Sequence, residues 1–182
     1  SNMEGKGNPV HLDTYKSDPL IKPSYGSLKD GDNWKQRDDV WITYPSKSSG
    51  AKHGPLTVGY GTKGEDSIGP EFGFGLSIAE KIDGPILLIK TSWGGKSINY
   101  DFRPPSVGEY QLDEKQKSGG KAEQIKKNAS LNYRLMNESI RKVLGNLKEN
   151  HPDYDPEAGH EIAGFVWFQG FNDQFSDPFR DN

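Results

Sequence analysis

Apolar positions along the chain include three short runs that predict β-strands. Residues 86–89 read Ile-Leu-Leu-Ile, and residues 162–168 read Ile-Ala-Gly-Phe-Val-Trp-Phe. Because both runs are continuous and lie beside helical patterns, they are typical of central parallel strands that are covered on both faces. Residues 40–44 combine β-branched and aromatic side chains and end at Pro45, which also indicates a strand.

Two stretches with helical spacing of apolar residues separate these runs. The first begins at Pro70, because proline at the first helical position followed by Glu71 is typical of a helix start, and Gly84 ends it. The second extends from about residue 122 to residue 149, and its apolar stripe contains Ile125, Ala129, Met136, Ile140, Val143, Leu144 and Leu147. Strands and helices in this alternation predict an α/β fold, a sandwich around a central parallel sheet.

The first third of the chain has a different composition. Residues 5–67 are rich in Gly, Pro, Ser, Lys and Asp, which predicts a long, loop-rich insertion in a single domain spanning residues 1–182. The insertion also contains Trp and Tyr, which a flexible linker would lack. We therefore expect it to be ordered, and loops of such length inside compact domains are usually functional.

Composition and charge exclude several classes of protein. The chain has 182 residues, a hydrophobic fraction of 31% and a formal net charge of -3, with its Lys and Arg residues dispersed, which argues against nucleic acid as a partner. No apolar run approaches the roughly 20 residues that span a bilayer, so we expect no membrane segment. Cysteine is absent, which excludes disulfides and thiolate metal sites. The compartment stays open, with export as one option, and so does the oligomeric state.

Three segments carry residues that suit ester chemistry. The chain begins Ser-Asn-Met-Glu-Gly, with a hydroxyl at Ser1. Residues 92–97, Ser-Trp-Gly-Gly-Lys-Ser, follow one predicted strand, and residues 167–173, Trp-Phe-Gln-Gly-Phe-Asn-Asp, end and follow another. Because ligands bind at the carboxyl ends of parallel strands, we expect these segments to meet. A hydroxyl, a backbone N–H and an amide are the groups of an oxyanion-stabilised ester hydrolase.

In this order the motifs resemble the SGNH hydrolases, specifically the sialate O-acetylesterase and acetylxylan esterase-like group, whose nucleophile lies in Gly-Gln-Ser-Asn-Met. Residues 68–73, Ile-Gly-Pro-Glu-Phe-Gly, also look like the first-helix entrance of that group, so the resemblance covers nearly the whole chain. It implies a flavodoxin-like three-layer α/β sandwich, truncated at both ends, with its first strand before Ser1. It also implies a serine-dependent carbohydrate esterase that removes O-acetyl groups from sugars without a metal or an organic cofactor.

The resemblance assigns roles to individual residues. Ser1 would attack the acetyl carbonyl and form an acyl-serine intermediate, and its own backbone N–H would be the first oxyanion donor. A backbone N–H at Gly94 or Gly95 would be the second donor, since only glycine lets a backbone turn this tightly against a ligand. The side-chain amide of Asn172 would be the third donor, and Gln169 is a rival for that role.

Substrate contacts are predicted at aromatic and charged residues near these motifs. Trp93 and Phe171 are candidates for stacking on a sugar ring, with Trp41 and Phe168 as further candidates, and the alternative for all of them is packing in the core. Arg103 is a candidate for binding a carboxylate such as that of sialic acid, and the alternative is a solvated loop arginine. Phe171 stands where the acetylesterases commonly carry Glu, so the local hydrogen-bond network is expected to differ.

The general base is the gap in this assignment. The family carries its catalytic His and Asp in an Asp-x-x-His motif near the carboxyl end, and this sequence contains no such motif. The four histidines are His11, His53, His151 and His160. His151 and His160 are expected at the opposite end of the sheet, facing solvent, whereas His11 and His53 lie in the insertion and are the remaining candidates for the base within this sequence. We expect the base and its Asp partner outside the given sequence, and weak activity at best for the isolated 182 residues.

Other interpretations remain open at this point. Ser1 and Asn2 have the form of a remnant of protease cleavage before Met3. The missing base favours a catalytically inactive carbohydrate-binding module on the same fold. A third alternative is an amino-terminal nucleophile, in which the α-amine of Ser1 acts as the base. The sequence does not specify which sugar or which acetyl position is served.

Overall fold

The computed structural model describes residues 19–20, 22–46, 50–61, 65 and 67–175. Its elements are α1 (Lys22–Ser27), β1 (Lys29–Asp30), β2 (Asn33–Trp34), β3 (Arg37–Tyr44), β4 (Lys52–Leu56), α2 (Pro70–Ala79), β5 (Ile86–Ile89), α3 (Glu114–Ser118), α4 (Ala122–Asn128), α5 (Leu131–Leu144) and α6 (Leu147–Asn150). Two short 3₁₀ turns lie at Pro105–Val107 and Asp173–Phe175. The fold therefore belongs to the α/β class.

The sheet that carries the fold has three strands in the order β4-β3-β5. β3 pairs with β5 in parallel, from Val40 opposite Ile86 to Thr43 opposite Ile89. β3 also pairs with β4 in antiparallel orientation, because the connection between them is too short for a parallel crossover. The described sheet is thus mixed where the sequence predicted a parallel one, and among the described strands β5 is the outer strand beside β3.

The predicted insertion supplies the middle strand of this sheet. Val40, Ile42 and Tyr44 alternate along β3 and are fully buried on one face, as the two-residue period of a strand requires. They pack with Leu56 of β4 and with residues of α2 in a single hydrophobic cluster. The strand predicted at residues 40–44 is confirmed, and it begins earlier, at Arg37.

Helix α2 begins at Pro70 as predicted and covers this face of the sheet. The helix approaches the strands closely at Gly75, where a Cβ atom would overlap the side chain of Leu56 and lie 3.0 Å from Leu88 Cδ1. On the opposite face of β3, Thr43 Oγ1 donates a hydrogen bond of 2.8 Å to Asn150 Oδ1 at the end of α6. Helices therefore contact β3 from both of its faces.

The long helix predicted over residues 122–149 is divided into α4, α5 and α6. The first break lies at Ser130, whose φ of 61° is in the left-handed region. There the backbone N–H of Ser130 donates to Tyr100 O and that of Asn132 donates to Asp101 O. Tertiary hydrogen bonds to the loop around residue 100 thus replace the helical ones, which a hydrophobic stripe cannot reveal.

The strand predicted at residues 162–168 is wrong: residues 159–170 form no helix or strand. The large apolar side chains of this run are exposed, from 43% for Trp167 to 69% for Phe168. Within the described residues the sheet offers this run no partner strand, and strand formation depends on such a partner more than on composition. Among all the residues that the structure describes, no helix is long and apolar enough to cross a lipid bilayer.

Candidate active site at the sheet edge

The carboxyl ends of β3 and β5 meet at one edge of the sheet and are joined there by Ser92. The backbone N–H of Ser92 donates to Ser46 Oγ at 3.1 Å, and Ser46 Oγ is 3.3 Å from Ser92 O. The hydroxyl groups of Ser92 and Tyr44 lie 2.7 Å apart and are buried. The loop that leaves β5 therefore starts from a position held by β3.

A buried ion pair lies at the start of the same loop. Lys90 Nζ lies 3.0 Å from Glu71 Oε2, with 4% and 7% of the two side chains exposed, and donates to Tyr60 O at 2.6 Å. It also lies 4.7 Å from the centre of the Tyr44 ring, a cation–π contact. Burial raises the pKa of Glu71 above its ordinary value, although Lys90 opposes this shift. The ion pair connects Glu71, in the first turn of α2, to Lys90, the residue after β5.

Gly94 and Gly95 form an exposed turn further along the same loop. Gly95 has a φ of 67°, a left-handed conformation that strains any residue with a side chain. Apart from its chain neighbours, no described residue has an atom within 4 Å of where its Cβ would be. Trp93 is half-buried, with its ring centre 5.8 Å from that of Phe102. Among the described residues, Gly95 thus presents backbone without a neighbouring side chain at its Cβ position.

Two buried or partly buried carboxylates hold the residues that follow the turn. Asp101 Oδ2 accepts hydrogen bonds from Ser97 N at 2.9 Å and from Ser97 Oγ at 3.2 Å, and Asp101 Oδ1 lies 3.0 Å from Lys96 Nζ. From the other side, Asp173 Oδ1 accepts from the backbone N–H of Ile98 at 2.8 Å. Residues 96–98 are therefore held between two acidic side chains.

The segment that contains Gln169 and Asn172 lies against this loop, as the sequence predicts. Asn172 Nδ2 donates to the carbonyl oxygen of Gly95 at 3.2 Å. Gln169 Nε2 donates to Lys96 O at 2.8 Å and to Asp173 Oδ2 at 2.7 Å. The amide of Gln169 thus uses both of its hydrogens, whereas Asn172 uses one of two within the part of the chain that the structure describes.

Comparison with known protein families identifies the family of the chain. The family of carbohydrate esterases described as sialic acid-specific acetylesterases matches residues 1–180. The chain belongs to this family. No curated protein and no solved structure matched the chain. Membership in the acetylesterase family makes an acetylated carbohydrate the expected substrate and ester hydrolysis the expected reaction.

Two residues of this acetylesterase chain that the sequence nominated lie outside the described residues. Ser1, the predicted nucleophile, is one of them, and His11 is the other. His53 and His151 both contact the ring of Trp41, with ring centres 6.2 Å and 5.9 Å away. The candidate stacking residue Trp41 is therefore engaged in packing between two histidines. His160 is exposed in the loop after α6.

Arg103, nominated for a substrate carboxylate, is fully engaged in its own loop. Its Nε donates to Gly108 O, its Nη1 to Asn99 O and Oδ1, and its Nη2 to Val107 O and Glu109 O. These five bonds use all five N–H groups of the guanidinium. Binding a carboxylate at Arg103 would therefore require at least one of these bonds to break.

Aromatic side chains lie exposed beside Asn172. Phe171 and Phe175 contact each other edge to face at 5.3 Å, and 65% and 71% of them are exposed. Trp167 packs edge to face on Phe102 at 5.1 Å, whereas Phe168 is 69% exposed. Phe171 therefore remains available for stacking.

Sequence reasoning missed the charged residues that hold the site together. Asp173 directly follows Asn172 in the motif, and Lys90 is a polar residue at the end of an apolar run, so both carried a signal. Glu71 was explained by the helix start alone. Its pairing with Lys90 depends on the packing of α2 against β5, which the sequence does not express.

Proposed function

We propose that this chain forms the oxyanion-binding part of a serine-dependent carbohydrate O-acetylesterase of the SGNH type. The observation that carries the proposal is the contact between Asn172 and Gly95, which are 77 positions apart in the chain. An amide donor and a glycine turn that meet in this way match the requirement for preorganised donors around a developing negative charge. The helices on both faces of β3 support the three-layer sandwich that the SGNH type implies.

In the proposed reaction, Ser1 Oγ attacks the acetyl carbonyl carbon while a general base takes the hydroxyl proton. The carbonyl electrons move onto the oxygen, which a backbone N–H of the turn at Gly94 and Gly95 and the free amide hydrogen of Asn172 stabilise. Collapse of this intermediate expels the sugar oxygen, which receives the proton. Water then attacks the acyl-serine, releases acetate and restores the hydroxyl of Ser1.

Hydrogen-bond use favours Asn172 over Gln169 as the side-chain donor. Both hydrogens of Gln169 Nε2 are directed at Lys96 O and Asp173, so Gln169 serves to hold the segment in place. Arg103 serves in the same way to organise the loop of residues 99–109 through its bonds to backbone oxygens. The sugar ring is proposed to stack on exposed Phe171 and on Trp93, the two aromatic residues that flank the donors.

The family description points to O-acetylated sialic acid as the first substrate to test, with acetylated xylan as the second. The rival function is an inactive carbohydrate-binding module. It is favoured by the position of the described histidines, because His53 and His151 lie at Trp41 and not at the glycine turn.

Covalent labelling tests the proposal. The protein, expressed as its gene encodes it, is treated with a fluorophosphonate and analysed by peptide mass spectrometry. We expect an adduct on Ser1 that is absent from Ser1→Ala, and hydrolysis of an aryl acetate that the same substitution abolishes. Binding of acetylated sugar without an adduct or hydrolysis would instead identify the inactive module. In a protein that begins at Ser1, loss of labelling when one residue is added before Ser1 would identify the amino-terminal nucleophile.

A further inference from the structure

Asp173 is a buried acidic residue to which the reaction above gives no role. It begins the last 3₁₀ turn, and only 7% of it is exposed. Both carboxylate oxygens are bonded: Oδ1 accepts from Ile98 N at 2.8 Å, and Oδ2 accepts from Gln169 Nε2 at 2.7 Å. A buried carboxylate with two donors of this kind is held firmly in place.

These bonds connect the two segments that carry the oxyanion donors. Ile98 belongs to the loop that contains Gly95, and Gln169 belongs to the segment that contains Asn172. The second hydrogen of Gln169 Nε2 binds Lys96 O at 2.8 Å. A closed ring of hydrogen bonds therefore runs from Asp173 through Ile98, along the backbone to Lys96, and back through Gln169.

The ring requires two acceptors at position 173. An asparagine there would offer one acceptor and one donor. Its NH2 group would then face another donor, either Gln169 Nε2 or the N–H of Ile98. Rotating the amide of Gln169 would not repair the ring, because Gln169 Oε1 would then face the carbonyl oxygen of Lys96. A carboxylate is the side chain of this size that satisfies every bond.

We propose that Asp173 is a positioning residue that sets the separation between the Asn172 amide and the turn at Gly95. Asn172 is its neighbour in the chain, so anchoring Asp173 limits how far the amide can move. Donors in an oxyanion hole work because they are already in place, and a displacement of about 1 Å costs up to about 10²-fold in rate. The catalytic consequence rests on the proposed function, whereas the coupling of the two segments does not.

Asp173→Asn tests this proposal with two measurements on the protein as its gene encodes it. The first is hydrogen exchange of the Ile98 amide, measured by NMR relative to the Ile42 amide of β3, and we expect it to become about tenfold faster since the bond weakens. The second is aryl acetate hydrolysis, where we expect kcat to fall about 10- to 100-fold with KM changed less than about twofold.

Asp113→Ala is the matched control. Asp113 caps α3 through Gln116 N, and its loss destabilises the fold without touching the ring. It should lower the thermal midpoint but leave kcat and the relative exchange of Ile98 unchanged. Gln169→Met is a second variant, which breaks the ring from the other side and should lower kcat in the same way. It decides the question if Asp173→Asn does not fold.

Unchanged relative exchange at Ile98 in Asp173→Asn would overturn the proposal whether or not the protein is an esterase. Faster exchange with an unchanged kcat would also overturn it, because the donors would then need no such support. If the wild-type protein hydrolyses no ester, the proposed function fails separately, and the exchange measurement alone decides whether Asp173 couples the segments.

Discussion

Asn172 donates one amide hydrogen to the carbonyl oxygen of Gly95, and within the described residues its second amide hydrogen has no acceptor. The bond to Gly95 orients the amide, since a side chain of this type otherwise rotates freely about its last torsion. An oriented amide can donate to an oxyanion without first losing that freedom. This contact supports the proposed donor role of Asn172.

We expect Asn172→Ala to lower kcat for aryl acetate hydrolysis by about 10²- to 10³-fold, the usual cost of losing one oxyanion donor. The thermal midpoint should change little, because the side chain is near the surface. Gln124→Ala, which removes an exposed amide from α4, is the control and should retain full activity. A kcat within about twofold of wild type in Asn172→Ala would remove Asn172 from the mechanism.

At the scale of elements, the contact between α2 and the sheet depends on one glycine. Gly75 faces Leu56 of β4 and Leu88 of β5, and no room remains there for a methyl group. Gly73 lies on the same helix, exposed and with no atom within 4 Å of where its Cβ would be. A substitution at Gly75 therefore tests close packing, and the same substitution at Gly73 tests helix propensity, within a single helix.

Alanine at these positions should have opposite effects on stability. Gly75→Ala is expected to lower the free energy of unfolding by about 1–3 kcal/mol, the usual cost of overpacking a core. Gly73→Ala is expected to raise it by about 0.5–1 kcal/mol, since alanine favours the helix. Urea denaturation measures both. Equal effects of the same sign would show that α2 does not pack through Gly75.

Other elements show where local patterns fall short. The apolar run at residues 86–89 forms β5 as predicted, because β3 lies beside it and pairs with it. The equally apolar run at residues 162–168 forms no strand, because no described strand lies beside it to pair with. The helical stripe over residues 122–149 is interrupted at Ser130, where backbone groups bind loop carbonyls instead. Composition predicts what a segment can form, and neighbours decide whether it does.

At the scale of the whole molecule, the ion pair of Glu71 and Lys90 connects α2, β5 and the loop at Tyr60. Burial raises the pKa of Glu71, so the native state binds this proton more tightly than the unfolded chain does. The contribution of Glu71 to stability is therefore fully present below its ordinary pKa of 4.5 and is lost as the pH rises through its folded pKa.

This linkage predicts a pH-dependent difference between the wild-type protein and Glu71→Gln. The free energy of unfolding of the wild type, minus that of the variant, should decrease as the pH rises above 4.5, because glutamine does not titrate. Urea denaturation at a series of pH values measures the difference. A difference that stays constant, or that increases with pH, would contradict a raised pKa at Glu71.

The sequence by itself determined the family of the chain, the places where β3, α2 and β5 form, and the residue types that the chemistry needs. These are local properties, since a glycine pair, an amide or an apolar run is visible in a few neighbouring residues. The expectation that the segments of Gly95 and Asn172 meet agrees with the hydrogen bond between them, but its reason was wrong, because residues 162–168 form no strand.

Only the tertiary structure decided which groups hold the site in place. Asp173 reaches Ile98 across 75 positions and Glu71 reaches Lys90 across 19, and in each case the partner is set by the path of the chain. It likewise decided that β3 is the middle strand and that Arg103 is used by its own loop. A hydrogen bond needs its partners within about 3 Å, and only the folded chain brings distant residues that close.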